Sequence, residues 1–192
     1  MPANAREGRA DNAAVERAMA ELIRALGLSA EREPELAQTP ARVADLYREL
    51  LAGLDPATHP DLVTFPHAGQ GDLVVVRDLE FHSLCVHHFV PFFGRALVAY
   101  LPGDTLVGIS AAARLIEHYS HRPQLQERLG QQVADHLEAL IHPRGVAVVL
   151  EARHLCMEMR GVRKRGVVET RAVRGELADP RWAASLRLTH ER

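Results

Sequence analysis

The sequence predicts an α+β fold. Three observations carry that expectation. Apolar residues recur at helical spacing in two segments before residue 55; β-rich runs lie at 73–76, 89–101, 146–150 and 167–173; two more helix patterns sit between the second and third of these runs. Strands that come in pairs, with helices before, between and after, point to antiparallel pairing within each pair.

The elements follow in order. Residues 1–10 read as a disordered tail. From Asp11 to Gly27, the residues Val15, Met19, Leu22, Ile23 and Leu26 form one stripe, and Gly27 suits the stop. Thr39-Pro40 is a cap and first-turn pair for a helix through Val43, Leu46, Tyr47, Leu50 and Leu51. Residues 54–71 read as a connector, so that 11–70 forms an N-terminal helical segment and 71–192 the main domain. A helix is expected from Ile109-Ser110, and another opening at Pro123 with Leu125, Leu129, Val133, Leu137 and Leu140 in phase. The strand at 146–150 is expected to continue towards Cys156, and Pro180 to start a short C-terminal helix.

Composition bounds the function. A chain of 192 residues, 47% hydrophobic, suits one domain with an N-terminal addition. No apolar run approaches the length of a membrane span, and the polar N-terminus lacks a signal core. A cytoplasmic protein without a membrane or nucleic-acid partner is expected; the net charge of −2 is neutral on that point. Lys164 is the only lysine, which marks a bias towards arginine.

The chain has two cysteines, and both lie among histidines: Cys85-Val86-His87-His88 and His154-Leu155-Cys156. In a cytoplasmic chain such clusters favour a metal over a disulfide. A mixed thiolate and imidazole set suits zinc. Cys85 and His88 have the spacing of two ligands on one short turn. The arrangement supports Cys85, His88 and Cys156 as ligands with water fourth, which is the catalytic rather than the structural pattern. On extended backbone His87 would point away from His88, and His154 would share a strand face with Cys156. Both histidines would then stand beside the metal as proton-transfer groups.

The segment Cys85-Val86-His87-His88-Phe89-Val90-Pro91-Phe92 resembles the zinc motif of the GTP cyclohydrolase I family. Gly94-Arg95, 98–102, Gly108-Ile109-Ser110, Arg114-Leu115-Ile116, 122–129, His154-Leu155-Cys156 and Met159-Arg160-Gly161-Val162 fit that family in order, over roughly 35–175. The resemblance implies a tunnelling fold: a four-stranded antiparallel sheet with two helices on one face, preceded by an N-terminal helical segment. It implies a homo-oligomer whose sheets close a barrel, as a decamer of two five-membered rings, with active sites between subunits. The implied reaction turns GTP and water into 7,8-dihydroneopterin triphosphate and formate, with Zn2+ as cofactor.

The resemblance also assigns roles. Cys85, His88 and Cys156 match the ligands. His87 matches the residue exchanging protons with the purine N7, and His154 the one near the ribose ring oxygen. Glu127 matches the carboxylate that accepts from the guanine N1–H and 2-amino group, with Gln126 beside it. Arg114 and Arg160 match phosphate contacts. Ser110 matches a serine at the phosphate-side turn, where it joins the catalytic set, with Ile109 in the same turn.

Three departures accompany these matches. Val86 replaces a usual glutamate, Ala111 a usual lysine that contacts phosphate, and 163–170 a Ser/Thr-rich strand. They leave two alternatives to GTP hydrolysis: a paralogue acting on a modified or less phosphorylated guanine nucleotide, or a catalytically silent zinc-stabilised oligomer binding a pterin or a partner protein.

Overall fold

In the computed structural model, residues 11–68 and 72–188 are described, so the expected tail at 1–10 lies outside the described residues. The described residues up to His59 form one compact unit and those from Pro60 a second.

The first unit is a helix pair. Helix α1 (Asn12–Ala25) starts where the Asp11 carboxylate accepts from the Ala14 N–H, and ends before Gly27 at φ +75°. Helix α2 (Thr39–Leu50) differs from expectation at its start. Thr39 is already helical, because the 3-10 turn Pro34–Gln38 feeds straight into it and leaves Gln38 as the cap. The helices pack on each other, burying Ile23 of α1 and Ala44 of α2.

The second unit is built on a sheet. Its strands are β1 (Thr64–Pro66), β2 (Val74–Cys85), β3 (Pro91–Leu101), β4 (Thr105–Val107), β5 (Pro123–Gln124), β6 (Gly145–His154) and β7 (Val168–Gly175). Strands β2, β3, β6 and β7 pair antiparallel in that order, as expected. Two additions were not expected. The short β5 runs parallel to the end of β2, and β1, inside the expected connector, pairs with β4 as a separate ribbon. Pro123 therefore does not open the helix. Pro123 and Gln124 pair instead with the end of β2, where the Gln124 carbonyl accepts from the Val86 N–H at 3.0 Å. The helix, α4 (Gln126–Ile141), starts three residues later.

Helices α3 (Ser110–Ser120) and α4 cover one face of the sheet. Leu115 and Ile116 of α3 and Leu129, Val133 and Leu137 of α4 are buried against Phe92, Val98, Val148 and Leu150. Truncating such a side chain to alanine costs about 2–5 kcal/mol. Leu177, Leu186 and Leu188 of the C-terminal segment cover Leu97, Ala99 and Leu101 on the other face. The expected C-terminal helix is a single 3-10 turn, Pro180–Trp182, capped by Asp179.

One irregularity in β2 positions the chemistry. The pairing with β3 shifts between Val76 and Leu79, where Asp78 adopts φ +58°. Side chains alternate along a strand, so one extra residue exchanges the faces. Val74 and Val76 point to the helix side before the bulge; Phe81 and Cys85 do so after it. Without the bulge, Cys85 would fall on the face of Leu73 and Val75.

Candidate metal centre

Cys85 ends β2 as a tight turn begins. Its carbonyl accepts from the N–H groups of His88 at 3.3 Å and Phe89 at 2.9 Å, and its own N–H donates to Val90 at 2.9 Å. The two histidines thus sit on a turn, not on the extended backbone expected. Their rings still diverge, at 76° to each other with centroids 6.3 Å apart. Both present Nδ1 to the Cys85 thiol, His87 at 3.9 Å and His88 at 4.0 Å.

The second cluster arrives on β6. His154 is the last residue of that strand, opposite Phe92 of β3. The expected shared strand face is replaced by a change of backbone, since Cys156 lies on the one-turn helix α5 (Leu155–Glu158). The ligand atoms of Cys85, His88 and Cys156 all lie within 4.8 Å of one another.

Electrostatics separate the groups. Burial pushes the Cys156 thiol up from its ordinary value, and the neighbouring Cys85 adds to this. A bound cation would reverse that preference by favouring thiolate. Burial lowers the basicity of His154, with Glu127 opposing, so the neutral imidazole is favoured.

A cavity of about 280 Å3 adjoins the cluster; Cys85, His87, Gln126, Glu127, His154 and Cys156 line it, with Phe92 and Met157 as apolar wall. Glu127 stands in the first turn of α4, where a carboxylate suits the helix N-terminus. Phe92 lies against the His154 ring, nearly parallel at 3° and 4.7 Å between centroids. A larger hollow between Tyr119 and His136, about 490 Å3, carries no cysteine.

Three expected site residues stand elsewhere. The Cys85 end of β2 meets the C-terminal end of α3, where Ser83 Oγ donates to the Ser120 carbonyl at 2.6 Å. Ser110 begins α3, and ten rises of 1.5 Å put it about 15 Å from Ser120 along the helix axis. Ile109, Ser110 and Arg114 do not line the cavity. Arg114 Nη1 donates instead to the Asp61 carbonyl at 3.3 Å, and Ile109 is 83% exposed. Arg160, by contrast, is at the cluster, with Nη1 2.8 Å from His88 Nε2. Ala111 is only 2% exposed and belongs to the core.

The profile of the family described as GTP cyclohydrolase I matches residues 15–189. The chain belongs to the GTP cyclohydrolase I family. It is 48% identical over 176 residues to GTP cyclohydrolase 1 of Streptomyces avermitilis, covering 90% of this chain and 87% of that one. It is 50% identical over 170 residues to GTP cyclohydrolase 1 of Mycobacterium avium, covering 86% and 82%. Identity to GTP cyclohydrolase 1 of Streptococcus thermophilus is 48% over 153 residues, covering 79% and 81%.

In this member of the GTP cyclohydrolase I family the donor set fits a zinc ion. Bonds of about 2.3 Å to sulfur and about 2.0 Å to nitrogen separate tetrahedral ligand atoms by about 3.6 Å. The ligand atoms here lie within 4.8 Å of one another, so they would close by up to about 1.2 Å to reach that. Three protein ligands leave the fourth position open.

Sequence reasoning missed the groups that support these ligands. Arg153 holds Glu158 in a two-pronged ion pair, Nε to Oε1 at 2.9 Å and Nη2 to Oε2 at 2.6 Å, joining β6 to the helix of Cys156. The spacing of five residues across a strand end carries no periodic signal. The Phe92 stack was readable only as part of an aromatic run.

Proposed function

We propose that this chain hydrolyses the imidazole ring of the guanine in GTP, releasing formate and giving 7,8-dihydroneopterin triphosphate. One observation carries the reading: both thiols of a thiol–imidazole–thiol cluster, His154 and Glu127 line a single cavity in a chain of the GTP cyclohydrolase I family. Cys85, His88 and Cys156 hold zinc, which when bound supplies Lewis acidity for activating water near neutral pH.

The remaining roles fall to side chains. Glu127 accepts from the guanine N1–H and 2-amino group, which adenine cannot offer in that pattern. His87 exchanges a proton with N7, and His154 delivers one to the ribose ring oxygen; imidazole titrates in the range both steps need. Phe92 and Met157 exclude water from one side of the cavity. Arg160 contacts phosphate from the metal side. Ser110, with Ile109 in its turn, and Arg114 contact phosphate at the start of α3, where helix N–H groups favour anions.

Ser110 lies about 15 Å along α3 from the Cys85 end of β2 and does not line its own chain's cavity. The phosphate turn of one copy is therefore paired with the metal cluster of another. That supports the homo-oligomer implied by the family resemblance, a barrel of tunnelling-fold sheets in a ten-subunit assembly. No helix among the described residues is long and apolar enough to cross a membrane, which accords with a cytoplasmic enzyme.

A second reading rests on Ala111. At 2% exposure, the position after Ser110 serves packing and offers no cation. A lost charged contact to phosphate costs about 1.5–3 kcal/mol. Arg163, Lys164 and Arg165 form an exposed basic run that could substitute. Parallel assays with GTP, GDP, GMP and guanosine separate the readings. Turnover of GTP with a micromolar-range KM, falling with each phosphate removed, supports the first. Equal or better turnover of GMP or guanosine supports a less phosphorylated substrate.

A further inference from the structure

Gln126 opens α4, yet its side chain is turned inward and 1% exposed. Its amide nitrogen donates to two backbone carbonyls, Leu150 of β6 at 3.0 Å and Val168 of β7 at 2.9 Å. Both hydrogens of the NH2 group are thereby used. Turning the amide over would set its oxygen against two carbonyl oxygens, so the orientation is fixed. Oε1 then faces His154 Nε2 at 2.8 Å and has only acceptor capacity. An acceptor there requires a hydrogen on Nε2. Phe92 holds the ring plane from one side.

We propose that Gln126 is a positioning residue that sets the tautomer of His154: Nε2 keeps its hydrogen, and Nδ1 is left presenting its lone pair. A buried amide clamped by two strands thus determines which edge of the imidazole does chemistry. A hydrogen bond at one ring nitrogen fixes the state of the other. The consequence for turnover rests on His154 acting in proton transfer, as in the proposed function; the tautomer itself does not. Gln126 in this account touches His154 and not the substrate, in place of the substrate contact expected of it.

The test is a long-range 1H–15N spectrum of the histidine rings in the zinc-loaded full chain, with His154 assigned by its loss in His154→Asn. The expected result is a single tautomer carrying its hydrogen on Nε2. In Gln126→Leu, which removes the acceptor, the expected result is a mixture of both tautomers. The same variant should lower kcat about a hundredfold, the lower range for losing general acid–base catalysis, with KM little changed. An Nδ1–H tautomer in the unsubstituted protein overturns the proposal even if the variant fails to fold. So does a folded Gln126→Leu whose His154 spectrum is unaltered. If guanine nucleotides are not hydrolysed at all, the functional reading falls while the tautomer result stands on its own.

Discussion

Arg160 Nη1 donates to His88 Nε2 at 2.8 Å, on the imidazole whose Nδ1 lies 4.0 Å from the Cys85 sulfur. A neutral imidazole has one lone pair on its ring nitrogens to give. If Nε2 accepts from Arg160, Nδ1 carries the hydrogen and cannot ligate. If a metal takes Nε2, the guanidinium stands in its way. Metal ligation by His88 and this hydrogen bond therefore exclude each other, and a bound metal would free Arg160 from His88. Arg160→Ala should bind zinc about fivefold more tightly, since an exposed hydrogen bond contributes about 1 kcal/mol. Competition against a chromophoric chelator measures this. Weaker zinc binding in the variant would contradict the exclusion. The same variant should raise KM for GTP more than for guanosine.

The crossing of β3 and β6 depends on Gly94. A Cβ at that position would overlap the Glu151 carbonyl oxygen and come within 2.7 Å of Ala152 Cα, both backbone and unable to swing aside. Gly94→Ala should cost about 3 kcal/mol, the upper range for overpacking, and displace the strand that ends in His154. Thermal unfolding with and without zinc checks it. Unchanged stability would mean that the strands separate freely here.

The Arg153–Glu158 pair has a pH signature. Arg153 holds the Glu158 carboxyl below its ordinary value of 4.5. A depressed acid contributes stability above its unfolded pKa and loses it as pH falls through the folded one. Arg153→Met should therefore lower the melting temperature of metal-free protein at pH 7, and the gap from the unsubstituted chain should close below pH 4.5. A gap that persists in acid would assign the loss to packing on Phe93, over which Arg153 lies at 5.6 Å. Zinc affinity should also fall in the variant, because α5 carries Cys156.

The grouping of Cys85, His88 and Cys156 was legible because histidines flank both cysteines. The bulge at Asp78 was not. Its positive φ follows from pairing with β3, and nothing in the run from Val74 to Cys85 announces that the faces exchange. The place of Cys156 on a helical turn depends on Arg153 and Glu158 closing across the strand end. Pro123 looked like a helix start because proline favours first turns; the Val86 N–H decides otherwise by pairing with Gln124. Ala111 reads as a lost cation, and its place in the core is visible only in the structure. The bulge and the Pro123 turn depend on partners distant in sequence, and the Arg153–Glu158 pair on a spacing outside any helix or strand period, so local periodicity does not register them.

Incubating the full chain with GTP under zinc-replete conditions, and measuring formate together with the fluorescent pterin formed after oxidation, tests whether the Cys85, His88 and Cys156 cluster supports hydrolysis of a guanine ring. Both products are expected in equal amounts, with one zinc per chain, and zinc and products should be lost together in Cys156→Ala. Full zinc occupancy without formate from any guanine nucleotide would contradict that role of the cluster.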